Sequence, residues 1–203
     1  MENITALQPL VLPLVIFTAL ATFTPGPNNI FLTLSGYQHG YRKSLPFIVG
    51  IRLGIGLLFI LMSSGVGALL NLCPALFFIF KLLGSAYLLY LAFKIARTKF
   101  SITQHNSVQL LGWRKGVLLQ FVNPKSMLMV LSCITAFSLP NELYLYSIVQ
   151  AFIVFTLIGT VSNICWVVFG MSIKQYLATE KRHRMFHRSL AVLTIFAIAL
   201  LYR

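Results

Sequence analysis

Two stretches of this sequence set prolines beside amides and, in one case, a lysine: Thr24-Pro25-Gly26-Pro27-Asn28-Asn29 and Phe121-Val122-Asn123-Pro124-Lys125. Such residues suit holding a polar solute better than breaking its bonds. Amide side chains donate and accept hydrogen bonds, a lysine attracts a carboxylate, and proline removes a donor from the backbone. Pro25 and Pro27 lack the N–H groups that would bond the carbonyls of Ala21 and Phe23, Pro124 releases that of Gln120, and Gly26 adds backbone freedom. Both stretches lie inside long apolar runs. Hydrocarbon cannot satisfy a freed carbonyl, so these must face other protein groups, a water-filled cavity or a bound ligand. The plain alternative is a proline kink; Pro-Gly-Pro followed by two asparagines favours a cavity.

Depth along the chain adds two more polar residues to this constellation. Lys125 lies ten residues beyond Lys115, about 15 Å of helix, and Arg52 lies nine beyond Lys43, about 14 Å. Pro25 sits at a similar depth from the inner end of its own span, and Asn163 stands eleven residues before Lys174. That level is near the middle of a hydrocarbon core about 30 Å thick. The candidate substrate-binding residues are therefore Pro25, Gly26, Pro27, Asn28, Asn29, Arg52, Asn123, Pro124, Lys125 and Asn163. Two cations at this depth each cost about 2.5 to 3.5 kcal/mol on insertion scales, and no span contains an acidic residue to neutralise them. Freed carbonyls, asparagine oxygens or the carboxylate of a bound amino acid would serve instead. For Lys125, snorkelling or capping of the broken helix is the other reading. Lys81 lies nearer the outer face and reads as snorkelling.

The elements that carry these residues are membrane helices. Of 203 residues, 58% are hydrophobic and 9% charged, against roughly 25% charged in a soluble domain. No charged side chain stands between Glu2 and Arg42, from Leu53 to Phe80, or from Leu143 to Ile173. Each run exceeds the ~20 residues that cross a bilayer as a helix. The pattern predicts an all-α integral membrane protein of six transmembrane helices at 9–34, 45–70, 74–93, 117–137, 144–170 and 189–202. The last has only 14 uninterrupted apolar residues, so it must tilt little, thin the bilayer or borrow Met185 to Ser189. The polar connection at about 97–114 divides a single transporter domain, 1–203, into halves of about 1–96 and 115–203. With three spans each, the halves enter the membrane from opposite sides, as two inverted repeats would.

The net charge of +13 would suggest nucleic acid if the protein were soluble. Placement argues against that partner. Basic residues gather at Arg42 and Lys43, from Lys94 to Lys115, and from Lys174 to Arg188, while the connections near 71–74 and 140–142 hold none. The asymmetry puts the basic connections in the cytoplasm and both termini outside. No basic n-region precedes the first apolar stretch, so no removable signal peptide is expected.

Other residues read as packing. Gly50 and Gly54 share the spacing that lets helices approach closely. Trp166, Tyr87 and Tyr90 fit packing or interface anchoring better than a pathway. Cys73, Cys133 and Cys165 read as small apolar core residues, without a disulfide framework. His39, His105, His183 and His187 fall in cytoplasmic segments without a metal-site pattern. No cofactor or metal is expected. A membrane enzyme finds little support, since no span supplies a histidine or carboxylate to activate a nucleophile.

Together with Gly84-Ser85-Ala86-Tyr87-Leu88 and Gln120-Phe121-Val122-Asn123-Pro124-Lys125, the Pro-Gly-Pro stretch resembles the signatures of the LysE/RhtB superfamily of bacterial amino-acid exporters over nearly the whole chain. Leu119 to Asn123, Ile158-Gly159-Thr160 and Asn163-Ile164-Cys165-Trp166 look most like its cysteine/O-acetylserine branch. The resemblance implies a six-span inner-membrane protein that exports a small neutral amino acid or derivative, cysteine/O-acetylserine-like or threonine/homoserine-like. It also implies proton-gradient coupling and a homodimer. Arg52 departs from the pattern, which has a small residue there, and an added cation favours a more acidic ligand. The runner-up reading is a non-transporting membrane sensor or assembly subunit, for which a dry, closely packed interior around Asn28 and Lys125 is the expectation.

Overall fold

A computed structural model describes residues 2–66, 112–173 and 180–200, with Tyr176 and isolated positions between 75 and 93. The α-helices with described bounds are α1 Glu2–Phe23, α2 Pro27–Leu61, α3 Trp113–Val122, α4 Pro124–Phe137, α5 Tyr144–Ile173 and α6 Glu180–Leu200, with a π-helical turn at Met62–Val66 and a 3-10 turn at Asn141–Leu143. No strand occurs among the described residues. Most of the expected span at 74–93, with Lys81 and Tyr87, lies outside them, as do Cys73, His105 and most of the 97–114 connection.

The two expected proline breaks are full stops in the helix, not kinks. α1 ends at Phe23, and α2 begins at Pro27 with Gly26 as its cap. α3 ends at Val122, and α4 begins at Pro124 with Asn123 as its cap, the two helices meeting at 71°. In both cases proline occupies the first helical position, where its missing N–H has no helical partner to lose.

α2 contains a reversal. At Gly40 the backbone takes φ 77° and ψ 178°, a left-handed conformation that side chains with a Cβ rarely adopt. The hydroxyls of Ser35 and Ser44 stand 2.7 Å apart, whereas nine residues of straight helix rise about 13.5 Å. The chain therefore folds into a hairpin at Gly40, and Ser44 Oγ donates to the Gly40 carbonyl at 2.8 Å. A loop is expected across 35–44 from the sequence; one glycine does its work, and Arg42 and Lys43 are already helical.

Contacts set the directions of the passes. Gln150 donates to the Leu7 carbonyl at 3.2 Å and Ser162 to that of Thr22 at 2.9 Å, so α1 and α5 run parallel. Arg52 reaches the Phe155 carbonyl, while Tyr144 donates to that of Ser63 at 2.8 Å, so the second arm of α2 runs antiparallel to α5. Gly50 and Gly54 meet the α3 backbone at Trp113 and Val117, the close approach that their spacing predicts. The first arm of α2 meets α5 through Gly36 against Val167 and Gly170 against Thr33.

Phe47, Ile51, Leu58 and Phe155 form the centre of the core, with Phe59 edge-on to Phe152 and Phe155. The outside is equally apolar: Leu20 is 69% exposed, Leu145 68% and Leu157 63%. Monomeric soluble proteins rarely expose apolar surface on this scale, and lipid is the solvent that suits it. Pro27–Gly65, which holds α2, and Asn141–Ile173, which holds α5, are long and apolar enough to cross a membrane, as are α3 and α4 taken as one bent pair. α6 spans 21 residues, about 31 Å, because it begins at Glu180 and borrows a basic turn beyond the expected Met185 to Ser189.

Candidate functional site

The two breaks face one another, and the amides beside them form a single network. Asn28 Nδ2 donates to Gln120 Oε1 at 2.7 Å and Ser126 Oγ at 3.4 Å. Its Oδ1 accepts from Asn123 Nδ2 at 3.2 Å and Gln120 Nε2 at 3.4 Å. Ser126 Oγ donates to Gln120 Oε1 at 2.8 Å, and Gln120 Nε2 also donates to the Gly116 carbonyl at 2.9 Å. Gln120 and Ser126 are both 0% exposed. Polar groups at that burial must find partners, and here they find each other. Asn123 also serves as a cap, its Oδ1 accepting from the Lys125 N–H at 3.1 Å at the start of α4.

The orphan carbonyls at the end of α1 are satisfied by side chains from three directions. Asn29 Nδ2 donates to the Thr22 and Thr24 carbonyls at 2.8 and 2.9 Å, and Ser162 Oγ also reaches Thr22. Lys125 Nζ donates to the carbonyls of Thr24 at 2.8 Å and Pro25 at 3.4 Å. Thr24 Oγ1 turns back to those of Leu20 and Ala21. Leu20 still accepts from the Thr24 N–H at 3.2 Å, so the freed carbonyls run from 21 to 25, a wider set than Ala21 and Phe23, because the helix stops instead of skipping two bonds. Lys125 caps the broken helix, one of the two roles its position in the sequence allows.

Arg52 stands on the other side of the site. Its Nη1 donates to the Phe155 carbonyl at 3.4 Å. With the Asn163 amide turned so that both its ends are satisfied, Asn163 Oδ1 accepts from Arg52 Nη2 at 3.1 Å and its Nδ2 donates to the Gly159 carbonyl at 3.2 Å. The pairs that depth alone placed at one level, Lys125 with Pro25 and Arg52 with Asn163, are in contact.

Gly26, Asn28, Asn29, Arg52, Asn123, Lys125 and Asn163 line one cavity, joined by Ala21, Thr22, Ile55, Met129 and Phe155. Pro25, Pro27 and Pro124 do not line it; they end and start the helices that do. Gly26 has φ −168°, an extended backbone open to any residue, so its freedom is unused. What it provides is room, since a Cβ there would lie 2.9 Å from Lys125 Cδ. The cavity gives about 20 Å³ to the centre of a water-sized sphere, room for about one water. Among the described residues its lining holds two cations, several amides and no carboxylate. The sequence reading missed Gln120, Ser126, Thr22 and Ser162. Gln120 was open to detection, as an amide one turn before Pro124 in an apolar span; the hydroxyls carry no such mark.

Elsewhere, Trp166 packs edge-on to Phe169, and Tyr90 is exposed. Cys133 is a buried core residue as expected, while Cys165 is exposed, facing outward from α5. Trp113, half exposed with the Arg114 guanidinium 5.5 Å from its ring, begins α3.

Over residues 19–203 the chain matches the family profile described as LysE type translocator. It is 32% identical over 154 residues to the cysteine/O-acetylserine efflux proteins of Salmonella choleraesuis (strain SC-B67) and Salmonella typhimurium (strain LT2), covering 76% of this chain and 78% of theirs. To the protein of that name in Escherichia coli (strain K12) it is 33% identical over 157 residues, with the same coverage. No solved structure matches it. The profile takes in both helix breaks and every residue of the cavity, and on that extent the chain belongs to the LysE family of translocators, transporters and not enzymes.

Proposed function

We propose that this protein exports a small amino acid across the bacterial inner membrane by alternating access, driven by the proton gradient. The observation that carries the reading is the cavity where both breaks meet, with Lys125 and Arg52 on its wall and no carboxylate beside them. Broken helices at mid-membrane are where transporters bind solutes, with helix N-termini toward the carboxylate and unwound carbonyls toward cations. Here the substrate carboxylate goes to one of the two cations, Lys125 beside the N-terminal turn of α2 or Arg52 across the cavity. Asn28, Asn123 and the carbonyls of Thr24 and Pro25 take its ammonium group. Because the space among the described residues fits about one water, loading requires Lys125 to leave the α1 carbonyls.

Cysteine and O-acetylserine are the first candidates, after the named activity of the relatives; threonine and homoserine are the next. The working unit is a multi-pass domain of residues 1–203 with six spans in two inverted halves and both termini outside, assembled as a homodimer in the lipid bilayer. A non-transporting sensor or assembly subunit is the second reading, favoured by how fully the amide network satisfies itself. Two cations without an ionic partner fit it poorly. Export of a labelled panel from loaded vesicles, with and without a proton gradient, separates the two. Gradient-dependent loss of one amino acid supports the exporter, and retention of all of them by folded protein rejects it.

A further inference from the structure

Lys125 and Arg52 are seated alike, each against a glycine of the opposite half of the chain. A Cβ at Gly26 would press on Lys125 Cδ and Nζ, at 2.9 and 3.0 Å, and one at Gly159 would overlap the Arg52 guanidinium. Neither cation is neutralised where it sits, for the cavity lining contains no Asp or Glu. Lys125 has the carbonyls of Thr24 and Pro25. Arg52 has the Phe155 carbonyl and the Asn163 oxygen, two of the five N–H donors a guanidinium carries.

The seats lie on different walls, one at the α1–α2 break and the other on α5. A neutral amino acid brings one carboxylate, which Lys125 or Arg52 can take but which cannot fill both seats. The guanidinium fork matches a planar carboxylate through two parallel hydrogen bonds, a fit that carbonyls and amides do not reproduce. We infer that Arg52 is a second anion seat, and that the site admits amino acids with a carboxylate on the side chain, the monoamino dicarboxylic class. Such a substrate sets two carboxylates against two cations and leaves its ammonium group to the asparagines and freed carbonyls. The inference rests on the exporter reading and deepens it.

The test uses the full chain in proteoliposomes loaded with labelled aspartate, glutamate, cysteine, O-acetylserine or threonine. Aspartate or glutamate is expected to leave well above protein-free vesicles, and Arg52→Gln is expected to lower the ratio of dicarboxylic to neutral export by about tenfold, the scale of losing a bidentate charged pair. Arg52→Lys keeps the charge without the fork and should lower the same ratio, which serves if the glutamine variant fails to insert. Export of neutral amino acids alone overturns the second seat and leaves the exporter standing. An unchanged ratio in both variants also overturns it. No export of any substrate overturns both.

Discussion

At the scale of single residues, the site depends on a few side chains that each hold two things at once. Asn28 is the hinge pin of the amide network, and leucine in its place takes away the acceptor of Asn123 Nδ2 and one donor to Gln120 Oε1, although Ser126 and the Gly116 carbonyl still hold Gln120. Stranding such groups costs about 1 to 3 kcal/mol, so Asn28→Leu should lower the thermal midpoint of the detergent-solubilised protein; an unchanged midpoint would show that the network adds nothing. Lys125→Met should insert normally and abolish export, and normal efflux by that variant would remove the lysine from the mechanism. The amides and cations were legible in the sequence because polar residues are expensive inside apolar spans. The hydroxyls of Ser126 and Ser162 were not, since a serine can satisfy itself on its own helix and leaves no sign of a distant partner.

Among the helices, what decides function is where each one stops. Proline marked both breaks in the sequence, but the arithmetic of lost i→i−4 bonds presumed a helix running through them. The chain instead ends one helix and caps another, which exposes the whole last turn of α1 and makes Asn123 a cap as well as a liner. The turn at Gly40 was illegible for a related reason: charge located the connection, but nothing in a charge pattern says that a single residue is enough. Gly40→Ala meets no neighbour but must adopt φ 77° with ψ 178°, which should cost about 1 to 3 kcal/mol of stability and leave export intact if the hairpin merely connects. Gly170→Leu is different in kind, since its Cβ would overlap the Thr33 carbonyl. It should prevent α2 from docking on α5 and abolish the folded, monodisperse protein; a well-behaved Gly170→Leu would mean that this contact yields.

For the whole molecule, the passes that the described contacts orient agree with the charge asymmetry: α1 and α5 run one way, and the second arm of α2 runs the other. Both termini outside and the 97–114 connection inside is then a statement about labelling. A cysteine introduced at Glu2 of a cysteine-free variant should react with an impermeant maleimide added to intact cells, and one at Gln104 only after the membrane is opened; the reverse pattern would invert the topology. Membrane character was the most legible property of this sequence, because composition is summed over many residues and survives local surprises.

The reciprocal seating of the two cations also has a genetic side. Gly26 with Lys125, and Gly159 with Arg52, are pairs distant in sequence whose members occupy each other's space. An allele such as Gly159→Ala should therefore find its suppressors at codon 52, among residues shorter than arginine, and scarcely anywhere nearer in the gene. A chimera that takes one half from a relative should fail when the incoming half brings a side chain at either glycine, and recover when the matching cation is trimmed. The two halves of the chain should therefore work only as a matched set, and a selection for restored growth on a toxic exported amino acid would read the match directly.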